Sequence, residues 1–448
     1  MNAAGLPLIV LSNPDARPAA YELALAAQEH GVLKKFFTGY YCKAGPLLQV
    51  LEKSLPPALW ARLWRQLRRR THGLAPEAVD CARIFELLQQ ISAKFVRFKS
   101  LQNLLRQSLT LFFDFQVARQ LPRLEFDIFI FFNDTAASYS LPRAKSLGKL
   151  TVLRSEIPHG RDWLALCQEE RRLAPHLWQR SADDKFESWL FKRRLKEFAE
   201  ADFILANSPF VKNSLIRNGV RPEKIYVLPG GADLEKFAPS PGVSLSPRKP
   251  FQILFVGGIC PRKGVHYLLQ AFRHLNLPGG QLTLVGPVVE PRLLAEAADL
   301  NGRFRHIPAV PHHEIPRWFA QADLFVFPTL LEGSAYVTYE AMAAGLPVVT
   351  TPNAGSYVRH GLDGFIVPVR NPDALREAIR FLYRNKEARR RLGANARERA
   401  RLFTWCRYRQ NVMAVLSHIK KHGVLPPPVP EYDAVAGHLH VFNFSRSS

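Results

Sequence analysis

The chain has few cysteines, a shortage of acidic residues and no long hydrophobic run. Its five cysteines are scattered and form no Cys-x-x-Cys pair, so neither a disulfide framework nor a cysteine-based zinc site is expected. No apolar stretch approaches the roughly 20 residues that a membrane-spanning helix needs. The apolar run at residues 7–12 has no basic region before it, so we expect a first strand there rather than a signal peptide, and a cytoplasmic protein.

The shortage of acidic residues leaves a strongly basic chain. Asp and Glu total 38 against 61 Lys and Arg, for a net charge of +23 over 448 residues. Such an excess indicates an anionic partner, which can be nucleic acid, a membrane surface or an acidic substrate. No recognisable nucleic-acid module is present, so we expect no nucleic-acid partner. The length suits two domains, and the hydrophobic content of 47% excludes general disorder.

One stretch of the sequence places two glutamates around a predicted loop and helix. An apolar run at residues 324–327 predicts a buried parallel strand, residues 336–344 favour a helix that stops at Gly345, and a second strand follows. Glu332 lies in the loop after the first strand, where open α/β sheets bind ligands. Glu340 lies inside the helix.

Small residues between the two glutamates would let backbone N–H groups approach an anion at the helix N-terminus. These residues are Gly333, Ser334 and Ala335. A nucleotide diphosphate sugar explains the arrangement, because the N–H groups would bind phosphate and a carboxylate would accept hydrogen bonds from ribose or sugar hydroxyls. The alternative is an amphipathic helix with two solvated glutamates.

The stretch EGSAYVTYEAMAAGLPVV, residues 332–349, resembles the glutamate-pair motif of the group 1 glycosyltransferases. These are retaining enzymes of GT-B fold, with two Rossmann-like α/β domains facing a central cleft. Ser334, Ala335 and Tyr336 replace the usual Phe-Gly-Leu. The resemblance implies that Glu332 touches the sugar near its reacting face and that Glu340 binds the ribose.

A glycine-rich turn at residues 257–264 (GGICPRKG) follows a predicted strand and precedes a helix. In the family, an arginine and a lysine of this turn grip the diphosphate. Lys263 matches the lysine, while Gly258 stands where the arginine is usual, so Arg262 is expected to supply the second charge. Gly257 belongs to the same turn. Two cations would serve in place of a metal, and no Asp-x-Asp motif lies in a suitable place, so no metal or other cofactor is expected.

Two further residues enter the predicted site through the resemblance. His159 follows a predicted strand at 150–154, where the family often has a histidine that contacts the donor sugar or the acceptor; the alternative is a surface-loop histidine. Val310 lies in a loop that resembles the one contacting the nucleobase. The predicted catalytic residues are Glu332, Lys263, Arg262 and His159, and the predicted donor-binding residues are Gly257, Gly258, Lys263, Gly333, Ser334, Ala335, Tyr336, Glu340 and Val310.

Residues 46–120 interrupt the α/β pattern with helical periodicity and 12 basic residues against 5 acidic ones. Tryptophans and arginines are interleaved here, as Trp60, Arg62, Trp64, Arg65, Arg68, Arg69 and Arg70. Such a helix can lie in a membrane interface, with tryptophans at headgroup depth and arginines on phosphates. The alternative is a helical insertion packed on the N-terminal domain with a solvated basic face.

The pattern and the resemblance together predict the domain organisation. We expect an acceptor-side Rossmann-like domain at 1–238, a linker at 239–250, a nucleotide-sugar-binding Rossmann-like domain at 251–402, a terminal helix at 403–419 that crosses back to the first domain, and a loosely held tail at 420–448.

The expected function is transfer of a sugar, with retention, from a UDP- or GDP-sugar to an acceptor hydroxyl. The acceptor would be a glycan or a lipid-linked molecule in polysaccharide or glycolipid synthesis, presented at the cytoplasmic face of an anionic membrane. A catalytically inactive GT-B-fold protein that only binds membranes is the alternative. The presence of Lys263 and Glu340 favours the enzyme.

Overall fold

The computed structural model describes residues 5–15, 17–39, 54, 56, 73–81, 99–178, 184–239, 250–300 and 302–433. Some predictions fall outside these residues. They include most of the linker, the end of the tail, and the predicted membrane-facing residues Trp60, Arg62, Trp64, Arg65, Arg68, Arg69 and Arg70. In the part of the chain that the structure describes, no helix is both long and apolar enough to span a bilayer.

The first half of the chain forms a seven-stranded parallel sheet. Its strands are β1 (Ile9–Asn13), β2 (Leu33–Thr38), β3 (Val79–Cys81), β4 (Ile128–Phe132), β5 (Leu150–Ser155), β6 (Phe203–Ala206) and β7 (Ile225–Val227). Its helices are α1 (Pro18–Glu29), α2 (Lys99–Gln120), α3 (Ser140–Ser146), α4 (Gly160–Leu173), α5 (Asp184–Glu200) and α6 (Pro209–Arg217). The strand order is β3-β2-β1-β4-β5-β6-β7, so the order reverses between β1 and β4.

The second half forms a six-stranded parallel sheet with the same plan. Its strands are β8 (Phe251–Val256), β9 (Gly280–Val285), β10 (Phe304–Ile307), β11 (Leu324–Phe327), β12 (Val348–Thr350) and β13 (Gly364–Ile366). Its helices are α7 (Val265–Arg273), α8 (Arg292–Ala295), α9 (Ile315–Gln321), α10 (Tyr336–Ala343), α11 (Pro372–Arg384) and α12 (Lys386–Ala400). The order β10-β9-β8-β11-β12-β13 reverses between β8 and β11.

The central strands of both sheets are continuous apolar runs because helices cover both of their faces. Every residue of β4 and of β11 is buried. In such sheets, ligands bind outside the carboxyl ends of the strands at the point where the strand order reverses. The turn after β8 and the loop after β11 therefore lie where a ligand is expected.

The last long helix, α13 (Trp405–His422), leaves the second domain and packs on α1 of the first. Tyr408 is buried there, and its hydroxyl donates to the carbonyl of Ala19 at 3.2 Å. Arg409 pairs with Glu22 at 2.6 Å. The first sheet thus obtains part of its hydrophobic core from residues near the end of the chain.

The tail is predicted to be loosely held from residue 420, and through residue 433 this is wrong. The helix α13 continues to His422, and a further short helix, α14 (Pro430–Asp433), follows. Tyr432 is buried in a cluster with Phe403, and its hydroxyl accepts a hydrogen bond from Asn411 Nδ2 at 2.7 Å. An aromatic side chain that gains both apolar burial and a polar partner holds this segment in place.

Helix α2 is the longest described element of the predicted 46–120 insertion. Its residue Asp114 is fully buried and accepts hydrogen bonds from the backbone N–H groups of Ser138, Tyr139 and Ser140. The guanidinium of Arg193 on α5 also lies 3.2 Å from the Asp114 carboxylate. Because this carboxylate joins three elements, α2 is fixed to the first domain.

Candidate active site

The turn after β8 is held directly against the loop after β11. The backbone carbonyl of Arg262 accepts hydrogen bonds from the N–H of Leu330 at 2.9 Å and from the hydroxyl of Thr329 at 3.1 Å. Gly264 has a φ of 68°, and a Cβ at this position would lie 2.0 Å from the carbonyl oxygen of Pro328. Glycine is therefore required here on two grounds, its positive φ and its close backbone approach.

Three of the predicted catalytic residues meet at the switch point of the second sheet. The Lys263 ammonium and the Arg262 guanidinium each lie 2.5 Å from Oε1 of Glu332. Burial alone would raise the pKa of the Glu332 carboxyl, but Lys263 and Arg262 hold the pKa below its ordinary value. Two cations from the turn after β8 thus share one carboxylate from the loop after β11.

Glu340 lies on α10, and its carboxylate is largely buried with 14% of the side chain exposed. Its Oε1 is 2.8 Å from Nε2 of His312. The other ring nitrogen of His312 lies 2.7 Å from the ammonium of Lys236. The position predicted to bind ribose hydroxyls is thus occupied by an exposed histidine that is linked to a lysine from before the linker.

The glycine-rich turn shows why Gly257 and Gly258 differ. Gly257 has a φ of 151°. Its backbone contacts that of Gly286 so closely that a Cβ on Gly286 would lie 2.0 Å from the Gly257 carbonyl oxygen. A Cβ on Gly258 would meet only Val289, at 3.5 Å. Gly258 therefore has space for a side chain, and Arg262 of the same turn carries a charge that reaches Glu332. Val310 is half-buried, two residues before His312.

The predicted N–H cradle before α10 is only partly available. The N–H of Ala335 donates to the carbonyl of Ala354 at 3.0 Å, so this donor is already paired within the second domain, and its binding to phosphate stays a prediction. Backbone pairing with the turn after β12 uses the donor, which sequence spacing alone does not reveal. The hydroxyls of Ser334 and Tyr339 are 2.7 Å apart. Gly333 and Tyr336 instead face the first domain.

Two family models match successive parts of the chain and together span more than half of its residues. The model of the Glycosyl transferases group 1 family matches residues 238–399, and that of Glycosyltransferase Family 4 matches residues 88–236. The chain belongs to the group 1 glycosyltransferases. Glu332, Lys263 and Glu340 all lie within the segment that the group 1 model matches.

Individual relatives in the group 1 family share part of the sequence. A D-inositol 3-phosphate glycosyltransferase of Nocardioides sp. is 32% identical over 233 residues, which is 46% of this chain and 51% of the relative. The amylovoran biosynthesis glycosyltransferase AmsK of Erwinia amylovora is 31% identical over 40% of this chain and 46% of the relative. The chain spans about half the length of these relatives.

Solved structures show the fold over nearly the whole chain. Anabaena HepE in complex with UDP has a TM-score of 0.60 at 18% identity, covering 91% of this chain and 99% of that one. WaaG, a glycosyltransferase involved in lipopolysaccharide biosynthesis, has a TM-score of 0.59 at 15% identity with the same coverage. The two parallel-sheet domains form the GT-B fold.

His159 is a buried residue at the start of α4 in the first domain. Its side chain is 2% exposed, it stacks on Phe198, and its Nδ1 caps α4 by accepting from the N–H of Arg161 at 3.2 Å. Burial, aided by the charge of Arg161, lowers the pKa of the imidazole. The alternative of a surface-loop histidine is therefore wrong, because the residue is a buried cap of the first domain, and its contact with the donor sugar or the acceptor stays a prediction.

The loop after β5 contributes a contact that sequence analysis missed. Glu156 lies directly after the strand, and its carboxylate accepts a hydrogen bond from the Tyr336 hydroxyl at 2.7 Å. A Cβ on Gly333 would lie 1.7 Å from the Glu156 carbonyl oxygen. Ser208, the N-cap of α6, donates to the Gly333 carbonyl at 2.5 Å. The position of Glu156 at a strand's carboxyl end was the available signal.

Helix α4 makes a second contact between the domains. Glu170 on α4 is fully buried, and its carboxylate lies 3.5 Å from Nε2 of His266 and accepts a hydrogen bond from Arg370 Nε. His266 stands in the first turn of α7, three residues after Lys263. Burial alone would raise the pKa of the Glu170 carboxyl, but His266 and Arg370 hold the pKa below its ordinary value.

Proposed function

We propose that the protein transfers a sugar from a nucleotide diphosphate sugar to an acceptor hydroxyl, with retention of configuration. The observation that carries the proposal is the convergence of Lys263 and Arg262 on Glu332 at the switch point of the second sheet. Preorganised cations at this point would stabilise the negative charge that develops on the departing diphosphate in the transition state. Glu332 would face the oxocarbenium-like sugar that forms as the glycosidic bond breaks.

The donor would replace contacts that the protein makes with itself. Glu332 now neutralises both cations, and His312 occupies the Glu340 carboxylate. A bound diphosphate would take over Lys263 and Arg262, and ribose hydroxyls would replace His312 at Glu340. Because two cations would neutralise the diphosphate, we propose that no metal is needed.

The relatives support a nucleotide sugar as donor and a glycan or lipid-linked molecule as acceptor. HepE is known in complex with UDP-glucose. The names of AmsK and WaaG refer to amylovoran and lipopolysaccharide biosynthesis, respectively. The first domain would present the acceptor across the cleft from the donor.

We expect one member of a panel of UDP-glucose, UDP-galactose, UDP-N-acetylglucosamine and GDP-mannose to raise the melting temperature of the protein. Glu340→Gln should weaken this donor by about 10- to 100-fold, since a hydrogen bond to a charged group contributes roughly 1.5–3 kcal/mol. Turnover at saturating donor should change less, because ribose contacts are remote from the reacting bond.

Glu314→Gln is the matched control, because Glu314 pairs with Arg317 at 2.9 Å beside the same site and should not touch the donor. Unchanged donor affinity in Glu340→Gln would show that Glu340 is structural. Donor binding without any hydrolysis in the absence of acceptor would favour the inactive binding protein.

We also propose that the protein attaches reversibly to the cytoplasmic face of anionic membranes. The described part of the insertion supports this with an apolar stripe on α2. Leu101, Leu104, Phe112 and Phe115 are each between 44% and 58% exposed, and their spacing places them on one helix face. Arg119 is exposed farther along the helix. An exposed apolar stripe in a basic segment is typical of interfacial helices.

Vesicle flotation should show binding to anionic vesicles that is lost at high salt. Each basic residue near such a surface contributes about 1 kcal/mol, and salt screens this attraction. Changing Arg62, Arg65, Arg68, Arg69 and Arg70 to glutamine should therefore weaken binding. The same protein with Phe381→Ser, which removes an exposed phenylalanine of the second domain, should still float. Absence of binding at low salt would contradict the proposal and favour a soluble acceptor.

A further inference from the structure

Glu156 is a carboxylate of the first domain that is fixed on several sides at the junction with the second. Its N–H donates to Asn133 Oδ1 at 3.0 Å, and its carbonyl accepts from Asn207 Nδ2 at 3.2 Å. Both asparagines directly follow strands, β4 and β6, that neighbour β5 in the sheet. Because the carboxyl ends of three adjacent strands hold its backbone, Glu156 has a defined position on the edge that faces the cleft.

The position lies next to the residue expected to touch the reacting sugar. The Glu156 carbonyl is in backbone contact with Gly333, so closely that any side chain on Gly333 would be excluded. Gly333 is the immediate neighbour of Glu332. If the donor sugar binds at Glu332, Glu156 is therefore a charged residue of the first domain that lies next to the sugar.

One oxygen of the Glu156 carboxylate is oriented and the other is open. The Tyr336 hydroxyl donates to Oε1 at 2.7 Å, and among the described residues no hydrogen bond to Oε2 is found. Burial alone would lower the pKa of the Arg154 and Arg17 guanidinium groups. Neighbouring groups that include Glu156 more than offset this effect, so both pKa values lie above the ordinary value. Arg154 and Arg17 of the same domain are thus near enough to interact with the charge of Glu156.

We propose that Glu156 is the residue that receives the proton of the attacking hydroxyl. The inference rests on the proposed function. In the step, the bond between the anomeric carbon and the diphosphate oxygen breaks, and the diphosphate leaves with the electron pair. The attacking oxygen forms the new bond to the anomeric carbon on the face that the diphosphate leaves, its proton passes to Oε2 of Glu156, and the proton is later released to solvent. No metal or redox partner enters the balance.

In a purely structural role, Glu156 would only connect the two domains, through the hydrogen bond that it accepts from Tyr336. Two substitutions separate the possibilities. Glu156→Gln keeps an oxygen that can accept a hydrogen bond from Tyr336 but removes the base. Tyr336→Phe removes the hydrogen bond between the domains but keeps the carboxylate. Glu169→Gln is the control, since Glu169 is an exposed carboxylate of the first domain that also contacts the second domain, at Arg370.

The test uses the full-length protein, the donor that raises its melting temperature most among the four nucleotide sugars, and water as the attacking hydroxyl. We expect Glu156→Gln to lower donor hydrolysis by about 10²-fold or more, the usual contribution of a general base, with the donor-induced rise in melting temperature unchanged. Tyr336→Phe should lose less than tenfold, and Glu169→Gln should match the wild type.

A rate of donor hydrolysis by Glu156→Gln within threefold of the wild-type rate would overturn the assignment. An equal loss of hydrolysis in Glu156→Gln and Tyr336→Phe would also overturn it, because Glu156 would then act by connecting the domains and not as a base. In either case, wild-type binding and hydrolysis would leave the proposed transferase function standing. If the wild type neither bound nor hydrolysed any of the four nucleotide sugars, the proposed function would fail and the role of Glu156 would fail with it.

Discussion

Replacing Lys263 with alanine is expected to lower the rates of sugar transfer and of donor hydrolysis by about 10²–10³-fold. Losses of this size are typical when one preorganised group that stabilises a developing negative charge is removed. Lys263 follows β8 at the switch point, and its ammonium lies 2.5 Å from Glu332 and 4.9 Å from the centre of the Phe327 ring. The side chain is thus held in place before the donor arrives. The loss should appear in turnover as well as in donor affinity, because the charge on the diphosphate grows as the bond breaks.

The measurement is donor hydrolysis as a function of donor concentration, with a control that removes a comparable lysine. Lys149 of the first domain lies 5.2 Å from the centre of the Phe126 ring, so Lys149→Ala removes a similar lysine–phenylalanine contact outside the candidate donor site. Turnover by a folded Lys263→Ala within a few-fold of wild type would show that Lys263 is not the cation on the diphosphate.

Replacing Glu170 with alanine is expected to lower the free energy of unfolding by about 3–5 kcal/mol, the usual cost of removing one partner from a buried ion pair. The change removes the buried carboxylate that pairs with Arg370 and contacts His266, where the two domains meet. Because the folded-state pKa of Glu170 lies below its ordinary 4.5, the stabilisation should be complete above pH 4.5 and decline as the pH falls below it.

Urea unfolding at pH 7 would measure this effect, from the first transition where the two domains unfold separately. Glu169→Ala is the matched control, because Glu169 pairs with the same Arg370 at 2.9 Å but is 57% exposed. An exposed pair contributes about 0–1 kcal/mol. Equal effects of the two substitutions would contradict the special role of the buried carboxylate.

The sequence predicted the parts of the site that lie on contiguous motifs. The strand at Leu324–Phe327, the loop with Glu332 and the helix from Tyr336 are present as expected. Arg262 was expected to replace a family arginine, and it reaches Glu332 together with Lys263. These residues could be predicted because the carboxyl ends of adjacent parallel strands necessarily share one edge of the sheet.

The features that the sequence did not predict concern residues whose environment comes from distant parts of the chain. The burial of His159 depends on Phe198, and the N–H of Ala335 pairs with Ala354. Tyr432 is held by a helix that ends ten residues earlier. Glu156 was missed because its importance comes from contact with Gly333, in the other domain. Local sequence patterns carry no information on such pairings.

The return of α13 to the first domain bears on how the protein is made. Strand β1 and helix α1 leave the ribosome long before α13, yet their hydrophobic core includes Val412, Met413 and Leu416. Nearly the whole second domain is synthesised before these residues appear, and it can fold as a unit in the meantime. The domain that is translated first is therefore the last to be completed. During that interval we expect its uncovered apolar surface to be prone to aggregation.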